Sequence, residues 1–267
     1  MSIKVERDGP VTTVTIDRPE VRNAIDQATA DALSVTLREF DSDPSSRVAV
    51  MAGAGGNFSA GADLKAIAAG ETPRLEETGD GPLGVTRLKL GKPVIAAVEG
   101  YAVAGGMAIA LWCDLRVAGE TAVFGMFDRR YGVPMVGAVT VNLPRLIGLS
   151  HAMDLILTGR AVDAEEALRM GLANRLVPAG EAVSAAQRLA HELASYPWDC
   201  LRGDRKATLE GMDLPSAQGH LNELRIGRET FRGGESQSGA SRFVAGQGRH
   251  GRFDDRPRED KRREPHD

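Results

Sequence analysis

Hydrophobic and polar positions in the N-terminal part of the chain switch between two periods. Residues 3–7 and 11–17 alternate apolar and polar side chains around Asp8-Gly9-Pro10, which predicts a β-hairpin. Residues Asp26–Asp41 then place apolar side chains three and four positions apart, the spacing of one helix face. The change from the first period to the second predicts that an α/β domain begins here.

Two later segments share one local pattern. The β-branched runs Val48–Ala52 and Pro93–Val98 each lead, through the small-residue turns Phe58–Leu64 and Glu99–Gly106, into a helical pattern. Such an arrangement leaves backbone N–H groups free at the start of each helix. Two turns of this kind facing each other would give one oxygen anion two donors, which indicates chemistry at a carbonyl. Either turn alone has another explanation, because glycine is also common where a helix packs closely on a strand.

The rest of the chain is mainly helical in pattern. Gly70–Gly84 has no period and predicts a loop beside the site. Ser150 and Asp163 are predicted to cap helices over 151–158 and 164–170. Further helical patterns cover residues 181–194, 198–210, 214–230 and 236–245. We therefore expect an α/β core domain over 1–195, a helical region over 196–253 and a disordered charged tail over 254–267.

Composition narrows the function classes. The 267 residues carry a formal net charge of −4, which gives no field that would attract nucleic acid or an anionic membrane. Cys113 and Cys200 are the only cysteines, and the five histidines lack metal-ligand spacing, so neither a disulfide framework nor a metal site is expected. Dinucleotide, P-loop and nucleophile-elbow motifs are missing from the sequence. With no apolar run at its N-terminus, the protein is expected to be cytoplasmic.

Seven motifs spread over residues 1–253 carry a resemblance to a known family. They are Arg18–Ala24, Phe58–Lys65, Lys92–Gly106, Cys113–Ala118, Leu157–Arg160, Ala164–Ala173 and Arg175–Pro178. In this order they resemble the crotonase, or enoyl-CoA hydratase/isomerase, superfamily. The resemblance implies an α/β fold, the ClpP/crotonase spiral of ββα units, followed by a C-terminal helical region for trimerisation. It also implies a homotrimer or a hexamer built as a dimer of trimers.

The same resemblance implies an acyl-CoA thioester as the ligand. Its carbonyl oxygen would lie between the backbone N–H groups of Ala62 and Gly105. Coenzyme A is part of this substrate, so no separate cofactor is implied. The residues implied to hold coenzyme A are Arg22, Ala24, Ala60, Asp63, Leu64, Lys65 and Phe243. Alternatives stay open for four of them: Arg22 and Lys65 as an ordinary solvated pair, Phe243 as a core residue, and Asp63 as a helix cap.

The sequence departs from the superfamily's hydratases at their two glutamates. The first position is Ala108, which cannot transfer a proton, and the second is Asp128. Removal of a general acid or base costs about two to four orders of magnitude in rate, so hydration by two carboxylates is not available. One carboxylate suffices to move a double bond, and we assign Asp128 to that role.

Several interpretations of the chemistry remain open at this point. Asp128 could instead pair with Arg129 or Arg130 at a polar surface, and Tyr131 and Glu99 are weaker candidates for proton transfer. The first hypothesis is an enzyme that isomerises a double bond or carries out an atypical hydration. The second is an acyl-CoA-binding protein with little or no turnover, and the third is a dehalogenase, hydrolase or carbon–carbon lyase on the same fold. Whether Asp128 faces the ligand cavity separates the first two.

Overall fold

The computed structural model describes residues 2–71 and 74–247. The tail over 254–267, predicted to be disordered, lies outside the described residues. The chain divides into two compact units, the first ending at Tyr196 and the second beginning at Pro197. Each unit is described separately below.

Nine strands form two sheets in the described part of the first unit. They are β1 (Ile3–Asp8), β2 (Val11–Ile16), β3 (Val48–Gly53), β4 (Val94–Val98), β5 (Tyr101–Val103), β6 (Leu115–Gly119), β7 (Val123–Gly125), β8 (Ala161–Asp163) and β9 (Arg175–Val177). The larger sheet has the order β1-β2-β3-β4-β6-β9, parallel throughout except for the β1–β2 hairpin. The smaller sheet has the order β5-β7-β8, with β5 and β7 parallel.

Seven α-helices among the described residues of the first unit alternate with these strands. They are α1 (Gln27–Ser42), α2 (Leu64–Ala68), α3 (Gly105–Trp112), α4 (Val139–Ile147), α5 (Leu149–Thr158), α6 (Ala164–Arg169) and α7 (Ala182–Ser195). All five residues of β4 are buried, as expected for a central parallel strand covered on both faces. Leu33, Leu37 and Phe40 of α1 are buried as well, which explains the helical spacing in the sequence.

Most predicted elements are present, and the differences have local causes. The hairpin, α1 and the Asp163 cap of α6 are confirmed, the last by a hydrogen bond from Glu166 N to Asp163 Oδ1 of 2.8 Å. The predicted Ser150 cap is wrong, because α5 begins at Leu149, directly after Gly148 at φ +80°. Helix α4 was not predicted, because Pro144 inside it argues against a helix, and the strands β5 and β8 were not predicted, since three residues show no clear period.

The second unit contains three helices among its described residues: α8 (Trp198–Gly211), α9 (Ser216–Arg232) and α10 (Glu235–Val244). Only Ile226 is a buried apolar residue in the described part of this unit. Large apolar side chains are exposed along all three helices and in the turn between α8 and α9: Leu209, Met212, Leu214, Leu221, Leu224, Phe231, Phe243 and Val244. In neither unit does the described chain contain a helix long and apolar enough to span a membrane.

Candidate active site

The two small-residue turns contact each other through glycines. Gly61 lies at φ +88°, and a Cβ added to it would be 2.4 Å from Gly105 N. A Cβ added to Gly106 would be 2.0 Å from Ser59 O. Neither position therefore accepts a side chain without moving backbone. The close approach brings the two backbones together, since a Cβ on Gly105 would be 3.1 Å from Ala62 N.

The N–H groups of Ala62 and Gly105 are both free at this contact. Gly105 is the first residue of α3, so its N–H has no intrahelical acceptor. Around Ala62, Ile25 bridges the two neighbouring peptide groups, accepting from Asp63 N at 2.9 Å and donating to Gly61 O at 2.7 Å. Within residues 2–71 and 74–247 neither N–H has a hydrogen-bond partner. The site thus offers two fixed donors to one acceptor.

Backbone strain accompanies the second turn. Ala104, the residue before Gly105, has φ 51° and ψ −123°, a combination that L-residues rarely adopt. Its N–H donates to Gly125 O at 2.8 Å, which ties the strained residue to β7. A conformation of this kind costs about 1–3 kcal/mol and persists only where surrounding structure imposes it. The strain falls on the peptide group that contains the Gly105 donor.

The first turn depends on Asn23, to which the sequence analysis gave no role. Asn23 is fully buried at φ +56°. Its Nδ2 donates to Ala54 O at 2.8 Å and to Asn57 O at 2.6 Å, and its Oδ1 accepts from Arg18 N at 2.9 Å. Its carbonyl accepts from Ser59 Oγ at 2.7 Å. Asparagine adopts left-handed backbone angles more readily than most residues, and this property is the signal that could have identified Asn23.

Both donors face a cavity of about 460 Å³ that lies wholly within the first unit. Of the residues predicted to hold coenzyme A, Arg22, Ala60 and Leu64 also line it. Pro82 and Leu83 line it too, so the end of the predicted 70–84 loop does lie beside the site. The cavity is large enough for a drug-sized ligand.

The other predicted coenzyme A residues do not line this cavity. Asp63 caps α2, accepting from Lys65 N at 3.0 Å, and pairs with Arg18 at 3.2 Å, so its carboxylate serves the fold locally. Lys65 lies at the exposed start of α2, and Ala24 is buried. Phe243 belongs to the second unit and is 59% exposed, so it is not a core residue there.

Asp128 is buried on the cavity wall. It belongs to the 3₁₀ turn Phe127–Tyr131, lines the cavity and is 8% exposed. Its Oδ1 has no hydrogen-bond partner among the described residues. Burial raises the pKa of the Asp128 carboxyl, and its own backbone N–H and the Arg129 charge only partly oppose this shift. A buried carboxyl with a raised pKa in a cleft is typical of a proton-transferring group.

The alternative of a surface ion pair at Asp128 is wrong. Arg129 Nε donates to Ile156 O at 3.2 Å, and Arg130 Nη2 donates to Gly159 O at 3.1 Å. Within the described chain, neither arginine forms an ion pair with Asp128.

No second carboxylate joins Asp128 on the described walls of the cavity. Ala108 lines it and is 2% exposed, and a Cβ on Gly137 would lie 2.8 Å from Ala108 Cβ. Glu99, a weaker proton-transfer candidate, is engaged elsewhere, since its Oε2 accepts from Thr121 Oγ1 at 2.8 Å and its Oε1 from a backbone N–H. Tyr131 does line the cavity. The site is therefore a pair of N–H donors with one buried carboxylate.

Comparison with known proteins agrees with this fold and site. The family described as Enoyl-CoA hydratase/isomerase matches residues 6–253. A carnitinyl-CoA dehydratase from Salmonella arizonae is 41% identical over 221 residues, 82% of this chain and 84% of the relative. Solved enoyl-CoA hydratases from Mycobacterium marinum and Mycobacterium tuberculosis, at 33% and 34% identity, each superpose with a TM-score of 0.86 over 91% of this chain and 96% of theirs.

A mixed α/β fold with facing N–H donors beside a cavity defines a class of proteins that can stabilise an oxyanion at a carbonyl. The chain belongs to the enoyl-CoA hydratase/isomerase family, within the crotonase superfamily. The predicted crotonase fold is thereby confirmed.

Proposed function

We propose that this protein binds an acyl-CoA thioester, forms its enolate, and moves a double bond with a single carboxylate. One observation carries the proposal: Asp128, whose buried Oδ1 has no hydrogen-bond partner in the described chain, lines the same cavity as Ala62 and Gly105, whose N–H groups are free there. A carboxylate kept without a partner at such a position costs about 1–3 kcal/mol, which function can justify.

The two donors stabilise the enolate. The thioester oxygen accepts hydrogen bonds from Ala62 N and Gly105 N, and negative charge gathers on that oxygen as a proton leaves the neighbouring carbon. Because both N–H groups are fixed by backbone before the reaction, they need no reorganisation. Such donors stabilise the transition state more than the ground state by several kcal/mol.

Asp128 moves the proton. With a 3-enoyl thioester, the Asp128 carboxylate removes a proton from C2, and the electron pair delocalises through the alkene and the carbonyl. The same group, now a carboxylic acid, returns the proton to C4. The double bond between C3 and C4 is thereby replaced by one between C2 and C3. Ala108 lines the cavity, and its methyl group cannot bind or orient a water molecule beside the reacting carbons.

Similarity to dehydratases favours a second reaction through the same enolate. A dehydratase would remove the C2 proton of a 3-hydroxyacyl thioester and expel the hydroxyl group as water. Protonated Asp128 would then have to protonate that leaving group, since the described cavity walls carry no other carboxyl. Identity of 41% to a carnitinyl-CoA dehydratase is the observation behind this candidate. Hydration of an unusual enoyl group is the same reaction in reverse.

Coenzyme A and assembly complete the proposal. Arg22, Ala60 and Leu64 line the cavity and hold the coenzyme A part together with Ala24, Asp63 and Lys65, the exposed Lys65 reaching a phosphate. In the assembled protein, Phe243 of a neighbouring copy lies near the adenine. The exposed apolar side chains of α8–α10 support packing against other copies as a homotrimer or a dimer of trimers.

The test follows enolate formation directly. The purified protein is incubated in D₂O with butyryl-CoA, and exchange of the C2 protons is measured by NMR. In parallel, 2-enoyl-, 3-enoyl- and 3-hydroxyacyl-CoA thioesters are assayed for turnover. We expect exchange and 3-enoyl isomerisation in the wild type, with a loss of about 10²- to 10⁴-fold in Asp128→Asn and unchanged butyryl-CoA affinity.

Other outcomes redirect the assignment. Equal exchange by the wild type and Asp128→Asn would contradict the role of Asp128. Tight butyryl-CoA binding without exchange or turnover would instead support the alternative of an acyl-CoA-binding protein, which Ala108 favours. Turnover of the 3-hydroxyacyl thioester alone would select the dehydratase.

A further inference from the structure

Four side chains form a stacked row along one wall of the cavity. The Arg22 guanidinium carbon lies 5.3 Å from the Tyr101 ring centroid, and that of Arg130 lies 3.9 Å from the Phe127 ring centroid. The two rings meet edge to face, with centroids 6.4 Å apart and planes at 61°. All four residues line the cavity. The row therefore ends in a guanidinium on each side.

Arg130 is held in place but is not neutralised. Its Nη2 donates to Gly159 O at 3.1 Å, and its guanidinium stacks on Phe127, so two contacts fix its orientation. Neither Arg130 nor Arg22 has a carboxylate partner among residues 2–71 and 74–247. A guanidinium has five N–H donors, so most of those on Arg130 are available. A fixed guanidinium without a counter-ion is suited to bind an anion.

The same row disfavours a cationic ligand. A quaternary ammonium group is bound by open aromatic faces or by carboxylates. Here a guanidinium of the protein already covers one face of Tyr101 and one of Phe127. The one acidic side chain on the described cavity walls is Asp128, the group assigned above to proton transfer at the acyl carbons. Arg22 and Arg130 would both repel a second cation.

The two ends of the row lie beside residues that the proposed function assigns to different parts of a thioester ligand. Arg22 directly precedes the residues that hold the first turn, on the side assigned above to coenzyme A. Arg130 lies on the same 3₁₀ turn as Asp128, the group assigned to the acyl carbons. We propose that Arg130 binds a carboxylate at the far end of the acyl chain, so that the substrate is the coenzyme A thioester of a dicarboxylic acid. This inference rests on the proposed function.

Three saturated thioesters of matched length test the charge preference. Glutaryl-, pentanoyl- and 4-(trimethylammonio)butanoyl-CoA end in an anion, a methyl group and a cation, and calorimetry measures their affinities. We expect glutaryl-CoA to bind about tenfold more tightly than pentanoyl-CoA, with the cationic thioester weakest. Arg130→Met, which can keep an apolar contact with Phe127, should lose the preference for glutaryl-CoA and bind pentanoyl-CoA as before.

Arg129→Met is the matched control, because Arg129 is adjacent and bonds to a backbone carbonyl but does not line the cavity. It should retain the wild-type preference. If Arg130→Met lowers the affinities for glutaryl-CoA, pentanoyl-CoA and free coenzyme A equally, Arg130 contacts a coenzyme A phosphate and the inference is overturned. Wild-type binding of pentanoyl-CoA with no preference for glutaryl-CoA would overturn it too, while leaving the proposed function intact. Failure of all three thioesters to bind would overturn the proposed function itself.

Discussion

The two halves of the candidate site are built in different ways. The donor half, formed by the turns around Gly61 and Gly105, consists of backbone atoms held by close glycine contacts. The proton-transfer half, the segment Phe127–Gly137, depends on how side chains are buried and stacked. In the first half a glycine is needed because a Cβ has no room. In the second half, the pKa of a single carboxyl group is set by the residues packed around it.

The largest expected effect is a loss of stability when a glycine contact of the donor half is filled. Gly106→Ala would place a Cβ 2.0 Å from Ser59 O, which is backbone and cannot rotate away. We expect the free energy of unfolding to fall by about 3 kcal/mol or more, measured by urea denaturation. Gly227→Ala, in the middle of α9 with nothing within 4 Å of its Cβ, is the control and should gain up to about 1 kcal/mol. Equal effects of the two substitutions would contradict the close-packed contact between the turns.

A smaller effect on the fold, but a large one on activity, is expected at Gly105. A Cβ there would lie 3.1 Å from Ala62 N, where the thioester oxygen is proposed to bind, and 2.8 Å from the mobile end of Leu83. The N–H of residue 105 remains in Gly105→Ala, but the added Cβ would obstruct the bound oxygen, so we expect C2 proton exchange to fall about 10²-fold. Stability should change by only about 1–2 kcal/mol, since Leu83 can adjust. Full exchange activity in this variant would show that the oxygen binds elsewhere.

The smallest expected effect concerns the pH dependence of Asp128. Burial raises the pKa of its carboxyl above the ordinary value, so the folded state holds the proton more tightly than the unfolded state. The stability contributed by Asp128 is therefore fully present below its unfolded pKa and is lost as the pH rises through the folded pKa. We expect Asp128→Asn to gain up to about 1 kcal/mol relative to the wild type between pH 4 and pH 7, measured by denaturation at both values.

Activity should rise with pH, whereas the stability contributed by Asp128 falls. The base must be ionised, so kcat/KM of the wild type should rise with pH and reach half its maximum above the ordinary aspartate range near pH 3.9. A midpoint within that ordinary range would contradict a buried catalytic carboxylate.

Much of this protein was predictable because the controlling interactions are local. The hairpin, helix α1 and the two turns follow from side-chain period and from the glycine positions. Short strands such as β5 and the start of α5 were not predictable, since three residues show no period and a positive φ at Gly148 displaced the expected cap. The role of Asn23 was missed because its partners, Ala54 and Asn57, lie about thirty residues away.

The family, the order of most elements and the small-residue turns of the donor half all follow from the amino-acid sequence alone. They do so because glycine requirements and hydrophobic period depend on neighbours along the chain. Two features of the site depend on the folded chain: Asp128 lines the cavity instead of the surface, and Arg130 stacks on Phe127 with no carboxylate partner among the described residues. Burial and partner choice are set by segments far apart in sequence, so the electrostatic character of a side chain appears only after folding.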